Sequence, residues 1–299
     1  MIEISHITKK FDNLTALSDV SAKMEEGHVF GLIGTNGAGK STLMRTICGI
    51  YKPDEGTVLI DGMPVFETPE AKSRIFYISD DQYFFNGTPM DMVRYYQTFY
   101  PGFDLERFDD LMDALKLDKR RKINTFSKGM KKQLAVMLGI CAGATYLLCD
   151  ETFDGLDPVI RQAIKRLFIR EMEENGLTPI IASHNLRELE DVCEHVGLLH
   201  AGGILFSRDL EDMKLGIFKL QCVLQDDAQL EIIGEHFPIL QKERRGSLHT
   251  LTLRGNSTEI VTLQARLQPV FWELLPLTLE EIFISETEVQ GYDFKELYS

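Results

Sequence analysis

A chain of 299 residues can bury a sizeable core, and its length allows one large domain or two smaller ones. The hydrophobic content of 44% and the charged content of 26% are typical of soluble globular proteins. The formal net charge of −14 argues against nucleic acid as the main partner, because a sustained basic surface is missing.

The five cysteines form no CxxC pair and no metal-ligand spacing, which indicates small buried side chains in a reducing compartment. The amino terminus lacks the charged and apolar regions of a signal peptide. The longest uncharged run, residues 133–149, is shorter than the roughly 20 apolar residues that span a bilayer. We therefore expect a chain that does not cross a membrane by itself.

Strands alternate with helices along the first two thirds of the chain. Alternating apolar and polar side chains predict strands at residues 2–8 and 17–24. Apolar runs predict further strands at 29–33, 58–60, 74–79, 146–149 and 179–184, with a hairpin at 196–206. Helical periodicity is found at 40–50, 89–117, 127–142, 158–174 and 186–194. This order predicts an α/β fold with a parallel sheet covered on both faces.

The pattern changes after about residue 214. Strands are predicted at 218–224, 239–243, 248–253 and 270–275, and helices at 228–236 and 258–267. The order βαββαβ matches the ferredoxin-like split pattern. We expect one domain over residues 1–213 and a small α+β domain over residues 215–299.

A glycine-rich segment follows the predicted strand at 29–33, and we call it the phosphate loop. Its residues are Gly34, Thr35, Asn36, Gly37, Ala38, Gly39, Lys40, Ser41 and Thr42. They fit the phosphate-binding pattern of Gly, four residues, then Gly-Lys-Ser/Thr. Glycines let the backbone approach a triphosphate closely, and the N–H groups of the next helix face the anion. Lys40 would reach the β- and γ-phosphates, and Ser41 would bind magnesium.

Two carboxylates follow the apolar strand at 146–149, at the strand end where ligands of parallel sheets bind. Asp150 would hold magnesium, and Glu151 would polarise the water that attacks the γ-phosphate. Phosphoryl transfer needs mainly positioning and charge neutralisation, so one general base beside a metal is sufficient. The two motifs together predict a nucleotide hydrolase.

A third motif, residues 125–130, lies just before that strand and reads Thr-Phe-Ser-Lys-Gly-Met. With it, the chain resembles the nucleotide-binding subunit of an ATP-binding cassette (ABC) transporter over about residues 1–213. Ser127 and Gly129 of that family's signature are present, whereas Lys128 and Met130 replace its first glycine and its glutamine.

The resemblance implies a P-loop NTPase cassette. Such a fold has a mostly parallel core sheet, an antiparallel β part and a helical subdomain, here at about residues 88–143, in addition to the small C-terminal domain. By resemblance, Ser127 and Gly129 cap the γ-phosphate of the ATP that a second subunit holds, using a helix N-terminus.

Further positions match the family. Phe11 stands where an aromatic ring stacks on adenine, although a lone phenylalanine is also a common core residue. Asp157, in Gly-Leu-Asp, matches the loop that crosses the dimer interface, and His184 matches the switch histidine at the γ-phosphate. Asp80 and Gln82 both stand near the position of the family's nucleotide-sensing glutamine, and either could approach magnesium.

A basic cluster stands out in this acidic chain: Lys116, Lys119, Arg120, Arg121, Lys122, Lys128, Lys131 and Lys132. One interpretation is a solvated face. The other is attraction to anionic lipid headgroups, because the helical subdomain of the resembled family faces the membrane.

The resemblance implies an ATPase that dimerises head to tail around two ATP–magnesium complexes and drives a membrane-spanning permease subunit. It would lie in the cytoplasm, peripheral on the inner face of the cell membrane. The tail, residues 279–283, resembles the ends of bacterial exporter subunits and favours export over import. The alternatives are a soluble cassette ATPase that acts on ribosomes or nucleic acid, and a small-molecule kinase with the same loop.

Overall fold

The structure, a computed structural model, describes residues 1–299 except 191, 210–215, 227, 276 and 283–299, and of residues 205, 206, 208 and 257 it describes the main chain only. The chain divides into two compact units, Met1–Ser207 and Arg208–Ser299. The domain boundary that the sequence predicts, near residue 214, lies outside the described residues.

The strands of the first part of the chain are as follows. They are β1 (Ile2–Phe11), β2 (Leu14–Met24), β3 (Phe30–Ile33), β4 (Glu55–Ile60), β5 (Met63–Pro64), β6 (Ile75–Ile78), β7 (Tyr146–Asp150), β8 (Thr178–Ser183), β9 (His195–His200) and β10 (Gly203–Asp209). Four of them form an antiparallel sheet in the order β2-β1-β4-β5.

The other six strands form the central sheet, in the order β10-β9-β3-β8-β7-β6. Neighbouring strands from β9 to β6 pair in parallel. Every residue of β3, β7 and β8 is buried, as expected for strands covered on both faces. Because β8 lies between β3 and β7, the carboxyl ends of these three strands are neighbours at one edge of the sheet.

The helices of the first unit differ in length from the sequence prediction. They are α1 (Lys40–Ile47), α2 (Pro69–Ser73), α3 (Pro89–Gln97), α4 (Leu105–Ala114), α5 (Lys128–Cys141), α6 (Pro158–Asn175) and α7 (Leu186–Leu189), with a short 3₁₀ helix at Ile123–Thr125. The predicted helix at 89–117 is two helices, since Asp104 caps a new one by accepting from the Arg107 N–H. The predicted helix at 186–194 is shorter, and α2 has no sequence prediction.

Helix α1 lies between the two sheets. Its apolar side chains Leu43, Met44 and Ile47 are fully buried, and they join a single core cluster. Residues of both sheets contribute to that cluster: Ile2, Ile4, Ile7, Leu17, Val58 and Ile60 from the antiparallel sheet, and Leu32, Leu148 and Ile180 from the parallel sheet. The loop before α1 is therefore held at both ends by buried structure.

The second unit contains β11 (Ile217–Val223), α8 (Ala228–His236), β12 (Ile239–Arg245), β13 (Leu248–Arg254), α9 (Ser257–Leu267) and β14 (Phe271–Leu275). Its antiparallel sheet has the order β12-β13-β11-β14, which is the strand order of the split βαβ pattern. Leu220, Leu251 and Ile260 are fully buried in its own core. Residues 279–282 are helical, and Phe283 of the predicted tail motif lies outside the described residues.

Asp61 connects the antiparallel sheet to the parallel sheet through hydrogen bonds. Its carboxylate accepts a hydrogen bond from Arg74 at 2.5 Å and lies 2.6 Å from the hydroxyl of Tyr146, the first residue of β7. Burial of the Asp61 carboxyl raises its pKa. Hydrogen bonds from the Met1 ammonium, Tyr146 and Arg74 outweigh that effect and hold the pKa below its ordinary value.

We expect Asp61→Asn to lower the free energy of unfolding by about 2 kcal/mol at pH 7, because charged hydrogen bonds are lost. A carboxyl whose pKa is lower in the folded state stabilises the fold above its unfolded pKa, about 3.9, and loses that effect as the pH falls further. Urea unfolding should therefore show the variant approaching the wild type between pH 4 and pH 2. Asp19→Asn, which removes an exposed carboxylate beside His6, is the control. Equal unfolding midpoints for Asp61→Asn and wild type at pH 7 would contradict the expectation.

Candidate active site

The phosphate loop runs from the end of β3 into α1 and is packed tightly against neighbouring backbone. A Cβ added to Gly34 would lie 2.5 Å from the Leu199 carbonyl oxygen, and one added to Gly39 would lie 2.6 Å from the Ala16 carbonyl oxygen. Gly37 and Gly39 have positive φ angles of 83° and 106°. A Cβ on Gly37 would meet nothing within 4 Å, so its requirement is conformational and leaves open space above the loop.

Lys40 is a buried cation, with 5% of its surface exposed. Its Nζ donates hydrogen bonds to the carbonyl oxygens of Gly34 at 2.6 Å and Thr35 at 3.3 Å. It also lies 3.4 Å from Glu151 Oε1. The loop and the end of β7 are therefore joined by an ion pair.

Glu151 follows the last residue of β7 in a left-handed backbone conformation, with φ of 50°. Its N–H donates to the Ala182 carbonyl at 3.0 Å, and its own carbonyl oxygen accepts from the Asp154 N–H at 3.3 Å and from Lys132 Nζ at 2.5 Å. A non-glycine residue in this conformation costs about 1–2 kcal/mol. Hydrogen bonds to charged groups contribute about 1.5–3 kcal/mol, which is enough to offset that strain.

His184 follows β8, which lies between β3, the strand before the phosphate loop, and β7, the strand before Glu151. Its Nδ1 lies 2.8 Å from Glu151 Oε2, and its side chain is 47% exposed. The Glu151 carboxylate is thus held by a lysine on one oxygen and by a histidine on the other. The structure brings together Lys40, Glu151 and His184, which the sequence predicts at one site.

Asp150 is 1% exposed and has one satisfied carboxylate oxygen. Its Oδ2 accepts from the Tyr77 hydroxyl at 3.0 Å, whereas its Oδ1 has no hydrogen-bond partner among the described residues. Burial raises the pKa of the Asp150 carboxyl, and the nearby hydroxyls of Ser41 and Tyr77 only partly reverse this.

The donor set at Asp150 fits magnesium. Magnesium is bound by oxygen atoms, usually one or two carboxylates with substrate phosphates and several waters. The unsatisfied Asp150 oxygen and the Ser41 hydroxyl provide such oxygens. No group of three or more His, Cys, Asp or Glu side chains that could hold a metal occurs in the described part of the chain, so a cage made of protein ligands alone is not offered there.

Asp80 and Gln82 follow β6 and have different neighbours. Asp80 Oδ1 lies 3.4 Å from Lys132 Nζ, and its side chain is 49% exposed. Gln82 Oε1 accepts from the Ser79 N–H at 3.2 Å, and its Nε2 donates to the Tyr96 hydroxyl at 3.5 Å. Asp80 is therefore connected to Glu151 through Lys132, and Gln82 is connected to α3. Both residues stay candidates for the nucleotide sensor.

Ser127 and Asp157 have structural roles at helix starts. The Ser127 Oγ accepts from the Met130 N–H at 3.2 Å and caps α5. Asp157 Oδ1 accepts from the N–H groups of Val159 and Ile160, both at 3.0 Å, and caps α6. Both capping residues are exposed. Their predicted contacts with a second subunit stay predictions.

Gly129 and Phe11 lie near the surface. A Cβ on Gly129 would lie 3.6 Å from the Gly155 carbonyl oxygen, an ordinary contact, so the chain itself does not demand glycine there. Phe11 is 38% exposed and makes an edge contact with Tyr51, with 5.2 Å between ring centroids. The alternative of a core position for Phe11 is wrong, and its predicted stacking on adenine stays a prediction.

Tyr77 and Lys132 have roles at the site that the sequence patterns did not predict. Lys132 belongs to the basic cluster, for which the sequence allows a solvated face or attraction to lipid headgroups, but its exposed fraction is 4%. A signal for its burial exists, because Ala135, Val136 and Gly139 follow it at spacings of three, four and seven, and all are buried. For Tyr77 no comparable signal exists, since its partner Asp150 lies 73 residues away.

Comparison with known proteins identifies the family. The family described as ABC transporter matches residues 17–154. The ABC transporter ATP-binding protein YtrB of Bacillus subtilis (strain 168) is 32% identical over 287 residues, which cover 96% of this chain and 98% of that protein. The chain belongs to the ATP-binding proteins of ABC transporters. It is an ABC-type ATPase, as the sequence motifs predict.

Two further likenesses are informative. The methionine import ATP-binding protein MetN of Clostridium acetobutylicum is 29% identical over 226 residues, which cover 72% of this chain and 71% of that protein. A dimeric ATP-binding cassette in a post-hydrolysis state, bound to ADP and Pi, has a TM-score of 0.63 and 21% identity, covering 70% of this chain and 99% of that chain. The second likeness confirms the predicted P-loop cassette fold.

Proposed function

We propose that two copies of this ABC ATPase bind ATP between them and use its hydrolysis to power a separate membrane-spanning permease. The observation that carries the hydrolytic part is the meeting of Lys40, Glu151 and His184 at one sheet edge, beside the unsatisfied oxygen of Asp150. A cation, a candidate base and an open metal ligand at one edge are the parts that phosphoryl transfer to water requires.

Lys40 and the backbone N–H groups of the phosphate loop bind the phosphates in this proposal. Lys40 already lies in the loop, held by two carbonyl oxygens, so little reordering is needed when an anion arrives. The incoming γ-phosphate would replace the Glu151 carboxylate as the partner of Lys40. Ser41 and Asp150 would hold magnesium, which would neutralise charge on the phosphate oxygens.

Glu151 acts as the general base. Once Lys40 has turned to the phosphate, the Glu151 carboxylate keeps His184 as its neighbour at 2.8 Å. That contact keeps one carboxylate oxygen in place and leaves the other to take a proton from the attacking water. General bases contribute about a hundredfold to ten-thousandfold to such steps, provided that the geometry is held.

The second copy completes each site in the proposal. The exposed N-terminus of α5, with Ser127 and Gly129, offers N–H groups to an anion. Facing head to tail, the partner subunit's Ser127 and the partner subunit's Gly129 would cap the γ-phosphate held by Lys40. Asp157, exposed at the start of α6, would lie on the loop that crosses between the copies.

A permease is the third component. No helix in the described ranges is long and apolar enough to cross a membrane, so transport by this chain calls for a separate spanning subunit. We place the assembly on the inner face of the cell membrane. Since a relative named as a methionine importer matches much of the chain and the tail motif resembles exporters, the proposal covers both directions of transport.

The test uses an affinity-tagged chain expressed in its own cells at native level. Membranes are solubilised in mild detergent, and the protein that co-purifies is identified and reconstituted with the chain in lipid vesicles. We expect a protein with several membrane spans, and an ATPase rate that differs at least about twofold between the vesicles and the isolated chain. Recovery with ribosomes or nucleic acid at moderate salt, and with no spanning protein, would overturn the proposal in favour of a soluble cassette ATPase.

A further inference from the structure

We propose that Lys132 is a positioning residue for ATP hydrolysis, which holds the Glu151 main chain in its productive conformation and links it to helix α5 and to Asp80. The proposal rests on the proposed role of Glu151 as the general base. Lys132 lies outside the motifs that bind nucleotide, and the mechanism above does not use it.

The position of the Lys132 ammonium is closely defined by its surroundings. Only 4% of the residue is exposed, although lysine is among the residue types most rarely buried. Its Nζ contacts the Glu151 carbonyl oxygen at 2.5 Å and Asp80 Oδ1 at 3.4 Å. A buried ammonium without such partners is strongly disfavoured, so the side chain is held where these two oxygens are.

The contact with Glu151 falls at a strained point of the site. Glu151 has a φ of 50°, a region that non-glycine residues rarely adopt, and its carbonyl oxygen is the atom that Lys132 contacts. The other donor to that oxygen, the Asp154 N–H, is longer at 3.3 Å. Without Lys132, the peptide after Glu151 would lose its charged donor and could rotate, and the carboxylate would move with it.

Lys132 acts through the main chain of Glu151 and not on the reacting charges. The Glu151 carboxylate has its own partners, Lys40 at 3.4 Å and His184 at 2.8 Å. Loss of Lys132 should therefore leave phosphate binding largely unchanged and reduce the rate of the chemical step. A displacement of about 1 Å in a catalytic group can cost about a hundredfold in rate.

Lys132 also connects Glu151 to the surfaces on which partners would act. It lies three residues after Gly129, so about 4.5 Å of helix α5 separates it from the proposed contact with the second subunit's ATP. On its other side, Asp80 is half-exposed at the end of β6. A shift of α5 or of the Asp80 segment would thus be transmitted to the main chain of Glu151 through the buried Lys132 side chain.

The first experiment compares Lys132→Met with Lys131→Met, which removes the same charge from the adjacent, half-buried position of α5. Steady-state kinetics should give a kcat for Lys132→Met that is about 10- to 100-fold below wild type. Its KM, and the Kd for a fluorescent ATP analogue, should stay within about threefold of wild type. Lys131→Met should match the wild type in all three. A wild-type kcat in Lys132→Met, or an equal loss in both variants, would overturn the inference.

The second experiment separates positioning from a general loss of stability. In the Glu151→Gln background, Lys132→Met should produce no further loss of kcat, because both changes act on the same base. A further loss of tenfold or more, multiplying with that of Glu151→Gln, would show that Lys132 acts elsewhere and would overturn the inference. If Lys132→Met does not fold, Lys132→Gln replaces it with the same expectations, because the glutamine side chain is uncharged and shorter than that of lysine.

The two proposals fail in different ways. If Glu151→Gln hydrolyses ATP at the wild-type rate, the general base is misassigned and the role of Lys132 falls with it. If Glu151→Gln is inactive while the Lys132 variants keep the wild-type kcat, only the inference about Lys132 is wrong. Asp80→Asn adds a graded comparison, because it keeps the bond from Lys132 to Glu151, and we expect a smaller loss than in Lys132→Met.

Discussion

Glu151→Gln should hydrolyse ATP at least about a hundredfold more slowly than the wild type, which is roughly 2.7 kcal/mol of barrier. Glutamine keeps the shape and hydrogen-bonding capacity of the side chain but cannot accept the proton of the attacking water. The measurement is steady-state release of phosphate at saturating ATP and magnesium. A matched control is Glu194→Gln, because Glu194 also pairs with a histidine, His28 at 2.7 Å, but does so at the exposed surface.

The same variant should bind ATP at least as tightly as the wild type. The Glu151 carboxylate lies 3.4 Å from Lys40 and would compete with the γ-phosphate for it. Neutral glutamine removes that competition and the repulsion between carboxylate and phosphate. We therefore expect the ATP-bound dimer to persist, and size-exclusion chromatography with light scattering should show it in ATP and magnesium.

Two outcomes would contradict these expectations. Hydrolysis at the wild-type rate would remove Glu151 from the mechanism. An inactive variant that binds ATP but stays monomeric, even with its membrane partner present, would count against the head-to-tail arrangement in which Ser127 and Gly129 act on the other subunit's ATP.

Lys40→Ala should weaken ATP binding by at least about a hundredfold, because several phosphate charges would face the loop with one fewer cation. The structure adds a second reason. Lys40 holds the carbonyl oxygens of Gly34 and Thr35, so its removal also releases two acceptors inside the phosphate loop. Equilibrium titration with a fluorescent ATP analogue measures the loss, and circular dichroism checks that the variant is folded.

Lys131→Ala is the control for Lys40→Ala, since it removes a lysine from a helix that does not follow the phosphate loop. It should bind the analogue as the wild type does. Wild-type affinity in Lys40→Ala would show that the phosphates are held elsewhere, and the assignment of residues 34–42 would then be wrong.

Part of the site could be predicted because its parts are adjacent in sequence. The phosphate loop needs glycines at fixed spacing and a lysine, which lie within nine residues, and a helix that begins at that lysine. The tight contacts at Gly34 and Gly39 explain in the structure why those two positions carry no side chain. The cap of α5 at Ser127 is similarly local, because its acceptor and donor are three residues apart.

Helix lengths were predicted less well. The segment at 89–117 has continuous helical periodicity, but it is two helices, because Thr88 and Asp104 each begin a new one with a capping hydrogen bond. Periodicity reports which face is buried and is insensitive to a break between two helices that both face the core. The small helix α2 is too short, at five residues, for any period to be recognised.

The sequence by itself determined the residue types of the chemistry: a phosphate loop, an aspartate and a glutamate after a buried strand, and a histidine after another. Only the tertiary structure decided which of these touch. The order β3-β8-β7 brings Lys40 and His184 to opposite oxygens of the Glu151 carboxylate, although 144 residues separate Lys40 from His184. The tertiary structure also buries Lys132 against the Glu151 carbonyl, 19 residues away. Spacing along the chain specifies local hydrogen bonds, whereas strand order and helix packing bring distant side chains together, and no short sequence pattern encodes them.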